Sequence, residues 1–564
     1  MPLGDAALLG TLPLRVREEL LAAAEPVRLH AQDWLFREGD AADRLYFLVS
    51  GRLRVVVERD GEPRVVRLLG PGAAIGELAI LTGARRSASV LAVRDSELLE
   101  IDSERFLDLL GRDPELSVGL ATALARQLQE SGGISEPDAP PSVFAVVPVA
   151  GVNADRFWDE LCAAFARLGP SVAVTEHGDG DEWGRNLAEL EARNAHVLLL
   201  AEPGNDDWTS FCLRQADRVL VVAAGAPPNG VVAAEGCDIA FLGTPDAQTV
   251  AAWRGALRPR AHHVVAVDDE LAASVQRVAR RLVGRSLGLV LSGGGARAFA
   301  HLGVLEVLTQ EGLVVDRVGG TSMGAFVAAM VALGWTPERM LEVARTEVMQ
   351  RAPFSDYTVP RHALIRARRA ESMFRRLFGD ITLEELPRSL FTVSADLLSG
   401  EMIVHRDGPL VEAVGTSMAI PGLAPPVSYR AHLLIDGGVL NNLPIDLMVA
   451  DEPGPVVAVD VMRRIALDEL KASVRTSLPT ILETLARATV LGSVDRARAN
   501  RGLAQIVITP DVQHVALRDF RNLEQAVDAG RRAAEEALAA GAKETLLNAL
   551  APPVATRRET AATR

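Results

Sequence analysis

Three short stretches of this chain carry residue types and spacings that could do chemistry. Residues 293–298 read Gly-Gly-Gly-Ala-Arg-Ala, directly after the apolar run Leu287–Leu291. Residues 320–324 read Gly-Thr-Ser-Met-Gly, directly after a second apolar run, Val314–Val318. Residues 433–444 read Leu-Leu-Ile-Asp-Gly-Gly-Val-Leu-Asn-Asn-Leu-Pro, so an apolar run ends on a carboxylate, Asp436. A glycine loop rich in free N–H groups beside a serine in a G-x-S-x-G frame is what acyl transfer needs. The serine supplies a nucleophile, and the N–H groups hold the oxyanion.

Two strand-turn-helix units must position these groups. Leu287–Leu291 is bounded by Ser292 and three glycines and reads as a buried strand. Phe299, Leu302, Leu305 and Leu308 stand at helical spacing over Arg297–Glu311, and Gly312 sits where a glycine would stop that helix. The second strand, Val314–Val318, leads to Ser322. A helix over Met323–Leu333 follows, closed by Gly334. Each strand thus runs into a helix N-terminus, where unpaired N–H groups and the helix dipole favour negative charge.

Alone, residues 293–298 could equally be a dinucleotide or phosphate loop. No acidic residue stands at the expected distance after a following strand, which disfavours that reading. In their order, the Gly-Gly-Gly-x-Arg loop, the elbow serine and the Asp-Gly-Gly turn resemble the patatin-like phospholipases, over residues 286–551. The resemblance implies catalysis by a Ser–Asp dyad without histidine. It makes Ser322 the nucleophile and Asp436 the base, and it places Gly293, Gly294, Gly295, Arg297 and Met323 in the oxyanion region. Ala298 stands where that family usually has glycine. Partial burial of Asp436 is required, because an aspartate of ordinary pKa is a feeble base toward a hydroxyl. A Ser-His-Asp triad stays open, with His432 or His514 as the imidazole. His301, inside the first helix, reads as a packed or capping histidine.

The chain has 564 residues, 48% of them hydrophobic, enough for several domains with real cores. Lys plus Arg number 59 against 74 Asp plus Glu, a net charge of −15, which argues against nucleic acid as a partner. The only lysines are Lys471 and Lys543, so nearly all positive charge is arginine. Cys162, Cys212 and Cys237 are scattered, with no metal-ligand spacing, and fit a reducing cytoplasm. No signal peptide is evident and no apolar run approaches a bilayer-spanning length, so a lipid substrate would be met from outside, with peripheral contact at the inner membrane face.

Residues 1–131 alternate short strands with glycine turns: Trp34–Arg37, Tyr46–Val49, Leu53–Glu58 and Val65–Leu69, then helical patterns over Ser103–Leu110 and Pro114–Gln129. A β-roll with trailing helices results. Residues 75–90 resemble the phosphate-binding cassette of cyclic-nucleotide-binding domains. That resemblance implies a helix starting at Gly76, with Arg86 on the cyclic phosphate, Glu77 on the ribose 2′-hydroxyl and Ser87 as a further phosphate contact. The regulatory ligand would be cAMP or cGMP. Arg85 stands where proline is usual.

Glu136–Pro141 is a proline-rich stretch within a linker over 132–142. Val143–Val149, Ser171–Thr175, His196–Ala201 and Arg218–Ala223 then read as strands of a middle α/β domain, 143–285. It lacks G-x-x-x-x-G-K-[ST], which disfavours nucleotide hydrolysis. The segment Trp208–Val222 and the order of the parts resemble the neuropathy target esterases. Arg361–Phe378 carries six arginines against Glu371, with an apolar stripe of Ala370, Met373, Phe374, Leu377 and Phe378. Such a helix either docks on anionic headgroups or simply packs its stripe on the core.

The expected whole is a multidomain α/β protein: β-roll, middle α/β domain, patatin-like α/β hydrolase domain, and a disordered tail over 552–564. It would be a serine esterase acting on lysophospholipids or phospholipids, needing no catalytic cofactor, modulated by a cyclic-nucleotide sensor. A different class stays open: a cyclic-nucleotide-responsive regulator whose hydrolase domain is a non-lipolytic scaffold. A homo-oligomer is compatible with this reading.

Overall fold

The computed structural model describes residues 24–31, 33–59, 62–71, 73–112, 141–175, 183–204, 206–228, 236–462, 484 and 491–551. The expected helix over Pro114–Gln129, the linker up to residue 140 and the tail 552–564 lie outside the described residues. Among those described, no helix is long and apolar enough to cross a membrane. Two compact units form, and the middle segment contributes strands to both.

The first unit opens with strands β1 (Glu25–Leu29), β2 (Trp34–Phe36), β3 (Arg44–Arg59), β4 (Glu62–Leu69), β5 (Ala74–Ile75) and β6 (Ser89–Asp102). Their order is β1-β6-β3-β4, with β2 on β6 and β5 on β3. The two strands expected at Tyr46–Val49 and Leu53–Glu58 are one, β3. The ladder to β6 shifts register between Leu48 and Leu53 but continues through it. Such a bulge lets a turn-like Ser-Gly sit inside a strand. Long β6, which was not among the strands read from the sequence, is the partner that keeps β3 in one piece.

The same unit holds parallel strands β7 (Val143–Pro148), β8 (Ser171–Val174), β9 (His196–Leu200) and β10 (Arg218–Ala223). Asp217, just before β10, is buried. It accepts N–H bonds from Ser142 and Val143 at 2.7 and 3.0 Å and meets Arg52 of β3 at 3.2 Å. Arg94 of β6 reaches Glu191 at 2.8 Å and the Gln215 carbonyl at 3.2 Å. A buried ionic network therefore joins the roll to the parallel strands.

In the second unit, β11 (Asp238–Leu242) and β12 (Ala261–Val265) add two strands that apolar periodicity alone did not reveal. The main sheet follows: β13 (Gly288–Leu291), β14 (Arg317–Thr321), β15 (Ser389–Asp396), β16 (Met402–His405), β17 (Val427–Tyr429), β18 (His432–Asp436), β19 (Val456–Val459) and β20 (Ile506–Ile508). Its order is β17-β18-β15-β14-β13-β19-β20, with β16 on β15. The centre is parallel and the β15–β18 and β17–β18 pairs are antiparallel.

Side-chain alternation gives the sheet two cores. Leu289, Leu291, Val457 and Val459 pack under the helices at Ala300–Gln310, Met323–Ala332 and Leu523–Ala537. Val290, Val456 and Ala458 face the other way, onto Ile445 and Met448.

Two expectations need correcting here. The strand foreseen at Val314–Val318 runs over Arg317–Thr321 instead. Asp316 is drawn to Arg280 and to the Leu287 N–H, while Gly319, beside the Phe391 ring, and Gly320, against the Gly324 backbone, continue the strand. The helix foreseen over Arg361–Phe378 begins at Arg368, after Pro360 and a left-handed Ala367 at φ 59°. Its stripe of Ala370, Met373, Phe374 and Phe378 is buried in the core. Arg375 pairs with Glu371 and Arg376 with Glu347. The plain packing reading describes this helix.

Candidate active site

Ser322 stands between β14 and the helix Met323–Ala332, with φ 57° and ψ −130°. A side chain at positive φ is strained, and persists only where its surroundings over-determine it. Here they do. The Ser322 N–H donates to Ser417 Oγ at 2.9 Å, and Ser417 Oγ donates to the Val393 carbonyl at 2.6 Å. Gly324 lets the turn close, because a Cβ there would lie 2.4 Å from the Leu291 carbonyl.

Ser322 Oγ donates to Asp436 Oδ2 at 2.6 Å, and both residues are buried. Register explains the meeting. On β15, Val393 pairs with Thr321 of β14 on one side, and Ser394 pairs with Asp436 of β18 on the other. A one-residue slip of β18 would send Asp436 to the opposite face. The other carboxylate oxygen accepts the Gly438 N–H at 2.8 Å. Burial pushes the Asp436 carboxyl up to about 6, against the opposing pull of the Ser322 and Gly438 hydrogen bonds.

The glycine loop packs directly on this pair. Gly293 approaches so closely that a Cβ would lie 2.6 Å from Asn442 Oδ1 and 2.9 Å from Ser322 Cβ. Its N–H donates to the Asn442 carbonyl at 3.3 Å, and Asn442 Nδ2 donates back to the Gly293 carbonyl. Arg297 is buried and donates through Nε to the Val515 carbonyl at 2.7 Å. Gly293 and Arg297 therefore hold the loop in place. Among the described residues, the N–H groups of Gly294, Gly295 and Met323 make no hydrogen bond. Gly295 and Met323, with Ser322, line a pocket of about 280 Å³. Its wall is largely apolar, from Phe354, Ile365, Phe374, Val411, Leu423 and Phe520, and its charged members include Arg366, Glu371, Arg375 and Arg518.

Neither candidate triad histidine meets Ser322 or Asp436. His432 Nδ1 meets Asp396 Oδ2 at 3.0 Å, an interaction that holds the Asp396 carboxyl below its ordinary range. His514 is exposed. His301 is fully buried, bonds the Ser292 carbonyl at 2.9 Å and is pushed down to about 4 by burial, so it is neutral and packed.

In the first unit, Gly76 at φ 89° opens the short helix Glu77–Thr82, and Glu77 is buried in its first turn. Arg86 is also buried. It donates to the carbonyls of Gly76 at 3.2 Å and Arg44 at 2.6 Å and lies 4.2 Å over the Phe36 ring. Ser87 is exposed. The expected anion-binding arginine thus folds onto protein carbonyls, and a phosphate would have to draw it from them.

Comparison with known proteins gives these arrangements a family. A model described as patatin-like phospholipase matches residues 289–449, and one described as cyclic nucleotide-binding domain matches 26–113. Uncharacterized NTE family proteins of Mycobacterium bovis and Mycobacterium tuberculosis are 36% identical over 553 residues, covering 93% of this chain and 93% of theirs. The chain belongs to the NTE family. Neuropathy target esterase of Drosophila melanogaster is 29% identical over 521 residues, 77% of this chain and 36% of that protein. Catabolite activator protein of Thermus thermophilus is 34% identical over 22% of this chain and 60% of that one, at a TM-score of 0.21.

For this NTE family member, sequence reasoning missed Ser417 and Asn442. Asn442 lies within the quoted Asp-Gly-Gly stretch, where two asparagines before a proline mark backbone clamping. Ser417 ends the helix Leu410–Ser417, where Thr416-Ser417 interrupts an apolar pattern.

Two predictions follow from this geometry. Asp436 titrates above the ordinary carboxyl value of 3.8. The fold is therefore favoured by the protonated form, and stability falls as pH rises from about 3.8 through about 6. Asp436→Asn should melt higher than wild type at pH 8, by the equivalent of about 3 kcal/mol, with the difference fading toward pH 4; equal melting curves at pH 8 would contradict the charged, buried carboxylate. In the roll, cAMP or cGMP should raise the melting temperature of wild type but not of Arg86→Ala, and calorimetric titrations flat at millimolar nucleotide would remove the ligand.

Proposed function

We propose that this protein is a serine esterase that cleaves fatty-acyl esters of lysophospholipids or phospholipids through a Ser322–Asp436 dyad. The observation that carries the proposal is the 2.6 Å hydrogen bond between the two, at an apolar pocket. Asp436, held near 6, takes the Ser322 proton as Oγ attacks the ester carbonyl. The oxyanion would be received by the N–H groups of Gly294, Gly295 and Met323. The leaving alcohol takes the proton from Asp436, and water then attacks the acyl-enzyme by the same route. The apolar wall suits an acyl chain, and the charged members suit a polar headgroup.

The segment between Gln350 and Arg368 supports a membrane contact better than the helix does. Phe354 and Ile365 line the pocket, while Val359 is 86% exposed and Tyr357 60% exposed. Exposed Arg361, Arg366, Arg368 and Arg369 surround them. Apolar tips flanked by cations, in an acidic chain, suit an anionic lipid surface at the pocket mouth. The cyclic nucleotide-binding domain would modulate turnover only if nucleotide affinity differs between active and inactive states.

Ser322→Ala should abolish fluorophosphonate labelling and lower ester hydrolysis by more than about 10³-fold, while the fold is kept. Asp436→Asn should be nearly as severe and the double variant no worse, with His432→Ala and His514→Ala near wild type. A folded histidine variant that loses activity would point to a triad. Hydrolysis of a soluble ester should rise with pH through about 6 as Asp436 loses its proton. For the membrane contact, Val359→Asp with Arg361→Gln should lower sedimentation with phosphatidylglycerol vesicles about tenfold, less so in high salt, and leave soluble-ester turnover unchanged. Unchanged sedimentation would discard this surface.

A further inference from the structure

The main sheet has a second polar cleft, at the end opposite Ser322. It is lined by the N-terminal starts of β14 and β15, at Asp316, Ser389 and Leu390, and by residues of β12 and of the helix Leu271–Leu282, and holds about 150 Å³. Six residues of extended chain separate Asp316 from Ser322, roughly 20 Å. The cleft is thus distinct from the catalytic pocket. Parallel sheets ordinarily bind substrate at the strands' C-terminal ends, which also sets this cleft apart.

Its chemistry is dominated by guanidinium groups. Arg254, Arg260, Arg277, Arg281 and Arg406 line it, in a chain whose overall charge is −15. Three carboxylates also line it, and each is engaged. Asp316 is held by Arg280 at 2.6 Å and by the Leu287 N–H at 2.9 Å. Glu452 takes both a nitrogen pair from Arg281 and a 3.6 Å contact from Arg260. Asp451 meets Arg406 at 3.0 Å.

Two cations remain in surplus. Arg254 has only long contacts, 3.7 Å to Glu384 and 3.9 Å to Asp407. Arg277 makes no hydrogen bond or ion pair with any described residue. Burial pushes it down to about 10 and the neighbouring guanidinium of Arg388 adds to that, against the weaker pull of Asp316 and Glu270. Arg388 itself bonds only carbonyls, those of Val315 and Val331. His262, pushed down to about 4 by burial, is neutral and donates Nε2–H to the Glu384 carbonyl, which leaves Nδ1 as an acceptor.

We propose that this cleft binds a small phosphate-class anion, coordinated chiefly by Arg277 and Arg254. A guanidinium that no carboxylate pairs directly, in a partly buried, polar cavity, is under-compensated, and a tetrahedral oxyanion supplies fork-compatible acceptors and further negative charge. The volume admits a phosphate or a short phosphomonoester. The protonated edge of a phosphomonoester also has an acceptor in His262 Nδ1.

The test is the melting temperature of the full-length protein in millimolar inorganic phosphate against chloride at equal ionic strength. Wild type should melt about 2 °C higher once phosphate stands at roughly ten times its dissociation constant. Arg277→Gln should lose that shift, and in chloride it should melt no lower than wild type because it removes a charge that burial penalises more than its neighbours repay. Arg254→Gln, at a half-exposed position, should lose much of it as well and stands in should Arg277→Gln not fold. Arg86→Ala and Ser322→Ala, at the two other anion-receptive places, should keep it. A wild type indifferent to phosphate, an Arg277→Gln variant that responds like wild type, or loss of the response in Arg86→Ala or Ser322→Ala would overturn the proposal. Glycerol phosphate and phosphatidic-acid vesicles tell the source: an Arg277-dependent shift with the first identifies a soluble phosphomonoester, and Arg277-dependent sedimentation with the second a lipid headgroup.

Discussion

The candidate active site depends on one arrangement, a carboxylate buried against a serine hydroxyl with no cation beside it among the described residues. Among the described residues, the Asp436 carboxylate has as partners Ser322 Oγ and the Gly438 N–H. Either a nearby arginine or wide exposure would return its pKa to the ordinary range and leave a weak base. The surrounding structure keeps both away. The nearest shell is made of backbone and small polar groups: Ser417, Asn442, and the glycines of the loop and turns. Two buried histidines of this unit, His301 and His405, are both pushed down to about 4 by burial, consistent with a low-dielectric interior that disfavours charge of either sign.

That constraint explains where the glycines stand. The elbow, the loop after β13 and the turn after β18 must converge within hydrogen-bond reach, and a Cβ on any facing atom would prevent it. Gly437 would clash with the Val393 carbonyl just as Gly293 would with Asn442. A glycine pattern of this kind is a packing requirement written in sequence. This is why the three motifs were legible before any coordinates, although they lie far apart along the chain.

Other features were less legible for identifiable reasons. β14 was displaced by three residues because its glycines hide it from apolar periodicity, and β3 was split because a bulge looks like a turn. The roles of Ser417 and of Gly293 and Arg297 depend on which N–H groups other residues already occupy, a tertiary fact. The helix Arg368–Phe378 shows the converse. Its amphipathic pattern is real, but a pattern cannot say whether its apolar stripe meets a core or a membrane. The exposed apolar side chains near the pocket are instead Tyr357 and Val359, which have no periodicity to reveal them.

The roll offers a last physical point. Arg52 on β3 and Arg94 on β6 both converge on buried Asp217, just before β10. Moving the roll relative to those parallel strands would leave a buried charge without its partner, a loss worth several kcal/mol. Within this unit the roll and the strands therefore move together. The lever available to a bound nucleotide is smaller and lies inside the roll, at Arg86. Its guanidinium holds the Gly76 carbonyl at the start of the helix Glu77–Thr82 and the Arg44 carbonyl at the start of β3. A ligand acts only through a difference in affinity between two arrangements, so one that competed with those carbonyls for Arg86 would loosen both starts.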